Sequence, residues 1–241
     1  MKKSTAQKAL VTYKITSDID GKLKTAGRTA CNFWNGFVQP STDIVIRLGV
    51  FTDPDPNSGT IAQAWTPYTH KGVLYGRVEF NTKYLGKFTP IEIAGTVVHE
   101  LGHTLGMGWT LWMKLFNQSD GTFLPKAVKS CPDLEGMVVE LDGGDGTALC
   151  HWDEETFGAE LMTGYKDGVE HVLPVTVEVM EQFGHSIKKN LSKKTALTPL
   201  LKRCAQVVFT ERMKVGARQI DRDYFIETKP FETIPHGPSR R

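Results

Sequence analysis

The eighteen residues from Thr89 to Gly106 constrain this chain more than any other stretch. Thr89-Pro90-Ile91-Glu92 has the form of a capping box, with Thr89 as N-cap, Pro90 opening the helix and Glu92 reaching back to the cap. Ile91, Ala94, Val98, Leu101 and Leu105 follow in steps of three and four, which gathers them into one buried stripe. Gly106 is placed to stop the helix in a left-handed turn. The spacing therefore predicts a helix over 90–105.

The flanking segments predict the layer it packs on. Leu23, Ala26, Ala30, Phe33, Trp34 and Phe37 give a second helix over 21–37. Alternating Ile44, Ile46 and Leu48 predict a strand over 43–52, and 61–66 and 73–81 read as two more. Residues 53–60 (DPDPNSGT) are a turn-rich loop. Residues 107–150 look irregular, with Gly136, Gly143, Gly144 and Gly146 in their second half. Two short helices are expected later: one over 175–183, stopping at Gly184, and one carrying Leu197, Leu200, Leu201 and Cys204. No internal repeat or low-complexity segment is found. The helices and strands together read as α+β, and the length suits one domain of generous size, or one domain plus an appendage, since 241 residues at 40% apolar and 23% charged exclude wholesale disorder.

The capped helix carries His99-Glu100-Leu101-Gly102-His103. Residues four apart share a helix face, so His99 and His103 can offer their imidazoles to one ion. Zinc accepts neutral imidazole nitrogen, and a glutamate following the first histidine can take a proton from water at the ion's open position. Two histidines do not complete such a site, which needs a third protein ligand. The chain continues Thr104-Leu105-Gly106-Met107-Gly108-Trp109, and tryptophan cannot ligate zinc. The other histidines are His70, His151, His171, His185 and His236.

HExxHxxG resembles the start of the metzincin zinc-peptidase signature, in which a third histidine follows six residues past the second. Trp109 stands at that position here. The segment His151-Trp152-Asp-Glu-Glu-Thr-Phe-Gly-Ala-Glu160-Leu161-Met162-Thr163-Gly164 resembles the leishmanolysin-type metzincins, whose third histidine is displaced by an insertion and followed by an ELM segment. The likeness runs over roughly residues 20–187 and is sharp at 95–109 and 150–165. It implies a metzincin-like zincin domain over 1–187, with a small mixed sheet, the zinc helix at 90–105, an insertion at 107–150, and the third ligand and Met-turn at 151–165. It implies one catalytic Zn2+ held by His99, His103 and His151, with Glu100 as general base. Gly106 becomes the turn that leaves the helix and Met162 the floor of the site, a packing residue whose thioether fills an irregular gap. His171 is the reserve third ligand. Tyr165 is a candidate to lend a phenol to the oxyanion.

The resemblance further implies that Val73–Asn81 is the edge strand that binds extended peptide by β-augmentation. The implied activity is endopeptidase hydrolysis through activated water, without a covalent intermediate. A Cys131–Cys150 bridge is also implied, because the family is mostly secreted and disulfide-bonded. The absence of a signal-peptide pattern at the N-terminus argues instead for free buried thiols. The twenty residues before the first helix hold no cysteine, which argues against a cysteine latency switch.

Charge divides the chain. Residues 1–187 hold 16 basic against 22 acidic side chains, and residues 188–241 hold 13 against 5. The second stretch reads as a basic C-terminal extension: a solvated tail, or a docking segment for an acidic partner or for its own domain. Its basic residues form no nucleic-acid motif. No apolar run approaches the eighteen residues of a membrane span. The expected setting is cytoplasmic, virion-associated or reached by a signal-independent route. The expected partner of the main domain is a peptide or protein substrate. An alternative is a structural or docking component of a large assembly, for example a virus particle, that retains the domain. A third is a toxin or effector with the same chemistry.

Overall fold

A computed structural model describes residues 8–144 and 146–207. Strand β1 (Val11–Ile15) leads into α1 (Lys22–Phe37), the two-residue strand β2 (Val38–Gln39), and then β3 (Ile44–Phe51), β4 (Ala62–His70) and β5 (Val73–Asn81). A single turn, α2 (Thr82–Leu85), precedes α3 (Pro90–Leu105). Beyond it come α4 (Pro125–Ser130), α5 (Glu154–Phe157), β6 (His171–Val172), α6 (Pro174–Glu178), β7 (Ser186–Ile187), β8 (Thr195–Ala196) and α7 (Leu197–Gln206).

The fold is α+β, built on a four-stranded sheet of order β1-β3-β5-β4. β1, β3 and β5 are parallel, and β4 runs antiparallel to β5. Alternation sorts the sheet's two faces. Ile44, Ile46, Leu48, Val78 and Phe80 join the main core, while Val45 and Tyr75 form a small cluster on the other face. α1 and α3 cover the first face, and the Trp34 indole ties them by donating to the Val98 carbonyl at 2.9 Å.

The capping box forms as expected. Glu92 N–H donates to Thr89 Oγ1, and Thr89 N–H donates to Glu92 Oε2 at 2.8 Å. The Thr89 hydrogen bonds hold the Glu92 carboxyl below its usual pKa. Such a cap contributes about 1 kcal/mol.

Two expectations are corrected. The segment before the first helix contains β1, whose Val11, Tyr13 and Ile15 pack on the core while the buried Thr12 hydroxyl donates to the Ile44 carbonyl; a short edge strand of mixed polarity gives only a weak local signal. Val73–Asn81 is not an edge strand, because β5 pairs with β3 on one side and β4 on the other. Among the described residues the outer strand beside it is β4, which runs from Ala62 to His70 rather than stopping near 66. Residues 107–150 are largely irregular, as expected, and well packed. Trp112 and Trp152, both fully buried, meet edge to face at 5.1 Å, with Phe116 and Phe123 packed around them. The Trp112 indole donates to the Leu149 carbonyl at 2.7 Å.

The helix expected over 175–183 is α6 followed by a 3₁₀ turn over Val179–Phe183, ending at Gly184. Cys31, Cys131 and Cys150 are buried free thiols, and Cys204 is a half-buried one. The core continues past residue 187 into α7, through Leu197, Leu200 and Leu201. Residues 188–207 hold six basic side chains and no acidic one, and all six are exposed. The remainder of the basic extension, with His236, lies outside the described residues. Among those described, no helix is long and apolar enough to cross a membrane.

Candidate metal centre

His99 and His103 project from one face of α3, and the segment after the insertion brings His151 to meet them. Their exposures are 4%, 0% and 0%. The Nε2 atoms of His103 and His151 lie 2.9 and 3.3 Å from His99 Nε2. One nitrogen from each ring lies within 4.8 Å of the others, a group that can hold a metal ion.

The other ring nitrogens decide what this convergence means. His99 Nδ1 lies 2.7 Å from the Leu161 carbonyl, His103 Nδ1 3.2 Å from that of Met107, and His151 Nδ1 2.9 Å from that of Thr147. A carbonyl only accepts, so each Nδ1 carries the proton and donates. Each Nε2 is then an acceptor lone pair, and three such lone pairs face one another in a buried pocket. A Lewis acid satisfies that arrangement. A tetrahedral ion bound to imidazole at roughly 2.0–2.1 Å sets its ligands about 3.3 Å apart, close to the separations seen. A backbone carbonyl accepting from the ring N–H that faces away from the ion is the usual support for metal-binding histidines.

The helix end that carries His103 is closed by backbone and by a tryptophan. Gly106 adopts φ 139°, a value side-chain-bearing residues avoid, and its N–H bonds back to the Gly102 and His103 carbonyls. The Trp109 indole donates to the His103 carbonyl at 2.6 Å. The residue that cannot ligate an ion here thus caps the helix that carries two donors. His185, which sequence reasoning gave no role, ties the same helix end from outside. Its Nε2 donates to the Leu105 carbonyl at 2.8 Å, and its Nδ1 accepts from Ser41 N–H at 3.2 Å. Burial holds its pKa below the usual histidine value.

Met162 is fully buried against Gly102. A Cβ added at Gly102 would lie 2.7 Å from the Met162 sulfur. Glu100 is fully buried in α3, one residue after His99. The Tyr165 hydroxyl lies beside the Gly143 turn, 3.3 Å from where a Cβ there would stand. His171, the reserve ligand, lies outside the group in β6, paired with Ala196. Burial, aided by Lys194, pushes its pKa down to about 4.

Sequence reasoning also assigned nothing to Glu160, although it stands in the ELM segment. It is buried at 1% exposure, and its carboxylate accepts three hydrogen bonds: from Met162 N–H at 2.6 Å, Leu173 N–H at 3.0 Å and the Thr176 hydroxyl at 2.7 Å. Burial raises its pKa to about 7 against the pull of these donors. The available signal was a carboxylate two residues from the turn methionine, within an otherwise apolar segment.

No protein-family model matches the chain. It is similar to the leishmanolysin-like peptidase of Drosophila melanogaster, 38% identical over 69 residues that make up 29% of this chain and 10% of the relative. It is also similar to the leishmanolysin-like peptidase of Drosophila pseudoobscura pseudoobscura, 37% identical over 68 residues, 28% of this chain and 10% of the relative. The chain thus spans about a tenth of the length of the curated relatives it matches. This partial likeness joins the three converging histidines in pointing toward a metallopeptidase.

Proposed function

We propose that the chain is a zinc-dependent endopeptidase with a metzincin-like active centre. One observation carries the reading: three buried imidazoles turn their Nε2 lone pairs toward one point while three backbone carbonyls hold their Nδ1 protons. The likeness to two leishmanolysin-like peptidases supports it. In this reading His99, His103 and His151 hold one Zn2+, Met162 forms the floor beneath them, and Gly106 turns the chain out of the helix. When bound, the ion supplies Lewis acidity toward the scissile carbonyl and lowers the pKa of water toward ~7. Glu100 takes the proton of the attacking water and returns it to the leaving amine. Tyr165 is kept as a candidate for the oxyanion.

The substrate strand moves from β5 to β4. β4 is an outer strand of the sheet among the described residues, and an extended peptide can add to such an edge through backbone hydrogen bonds. A cleft of about 320 Å³ opens between β4 and the end of α3, lined in part by Pro67, Leu74, Leu105, Trp109 and Phe183, and would receive an apolar side chain. The unit that carries the reaction takes in α7, because that helix completes the core.

The test is peptide-library cleavage by the zinc-loaded chain, with Glu100→Ala alongside. Cleavage lost in a variant that still binds zinc supports the reading, and equal cleavage by the variant removes Glu100 from its role. The exposed basic run at 188–207 favours one further reading, a docking role in a larger assembly. A folded wild type that binds no zinc would bring that reading forward.

A further inference from the structure

We propose that Glu160 is a positioning residue of the metal centre, acting on His99 through the Leu161 carbonyl and on the His151 segment through Thr176 and Trp152. The inference rests on the reading that the three histidines bind a metal ion.

The hydrogen-bond directions around Glu160 are forced. The Trp152 indole can only donate, and it reaches Thr176 Oγ1 at 3.0 Å. The threonine's one proton is then free to point at Glu160 Oε1, 2.7 Å away. Leu173 N–H donates to the same oxygen and Met162 N–H to the other. Every group that touches the carboxylate is therefore a donor, and an acceptor-only side chain fits where an amide does not.

The geometry links this carboxylate to the ligands. By bonding to the N–H two residues ahead, Glu160 closes a turn over 160–162, which fixes the peptide carrying the Leu161 carbonyl. That carbonyl receives the His99 Nδ1 proton. The turn is pinned on its other side, where Trp152 N–H donates to the Met162 carbonyl at 3.0 Å. Trp152 directly follows His151. One buried side chain thus joins the segment that orients one ligand to the segment that carries another. His103 is independent of it, because its Nδ1 bonds to Met107 in its own helix end.

The glutamine variant is the sharp probe. Glu160→Gln keeps the shape but turns an NH2 toward either Met162 N–H or the Leu173 and Thr176 donors. Cobalt(II) titration of the full chain, followed by visible absorption, should show affinity weakened by up to roughly tenfold, below the loss expected for removing a group bonded directly to a ligand. Ring nitrogen NMR on the metal-free protein supplies a second readout that general loosening would not give. His99 should lose its Nδ1-protonated tautomer while His103 keeps it. Unchanged cobalt affinity with both tautomers intact would overturn the proposal. If Glu160→Gln does not fold, Thr176→Val, which removes one arm of the network, carries the same two readouts. If the wild type takes up no cobalt, the metal reading fails by itself, and the His99 tautomer alone decides whether Glu160 positions it.

Discussion

The Nδ1–H of His99 and the carbonyl of Leu161 meet at 2.7 Å, across 62 positions of sequence. This bond fixes which nitrogen of His99 faces its partners. It also ties the helix that carries two donors to the turn that follows the third.

Glu100→Ala should retain metal and fold while losing hydrolysis. Removing a general base typically lowers the rate 10²–10⁴-fold. Steady-state kinetics on a cleaved peptide, with metal content measured on the same sample, checks this. Wild-type kcat in the variant would exclude the role.

Gly102→Ala should destabilise the protein. The new Cβ would stand 2.7 Å from the Met162 sulfur and 3.3 Å from the Trp34 ring, in a packed interior. Overpacking of this kind costs about 1–3 kcal/mol. Urea unfolding of the metal-free protein gives the number, and a shortened side chain at 162 in the double variant should recover part of it.

Acid should unfold the metal-free chain partly through His171. Its pKa is about 4 in the fold against an ordinary 6.5, so the unfolded state takes up the proton first. His171 costs nothing above pH 6.5, where it is neutral in both states, and its cost grows as the pH falls toward 4. His171→Gln should therefore gain stability relative to wild type across that window and level off below it. Denaturant curves that stay parallel from pH 7 to 4 would contradict this. Glu160 has the opposite sign: with its folded pKa raised to about 7, its cost appears as pH rises from 4.5 toward 7.

Thiol titration of the denatured, unreduced protein should find four thiols per chain, since all four cysteines are free in the fold. Two thiols would mean that one disulfide forms when the protein is made in an oxidising setting, and peptide mapping would show whether it joins Cys131 and Cys150.

What was legible in the sequence follows the range of the forces involved. α3 could be read in full, from Thr89 to Gly106, because capping, helical stripe and glycine stop are local. The face shared by His99 and His103 is local in the same way. The arrival of His151 was legible only through the resemblance, since nothing near it in sequence fixes where it goes. Strand order was not legible. β5 looks like any alternating strand, and its central place depends on pairing with β3 and β4. The packing of Trp112 on Trp152 brings together the two ends of a long insertion, so periodicity carries no trace of it. Glu160 escaped notice for the same reason, because its partners at Leu173 and Thr176 come from beyond the turn.

The most direct test of the account is zinc stoichiometry by elemental analysis on the full chain, for wild type and His151→Ala side by side. About one zinc per wild-type chain and a marked loss in the variant are expected. Equal zinc in the two, or none in a folded wild type offered metal, would contradict it.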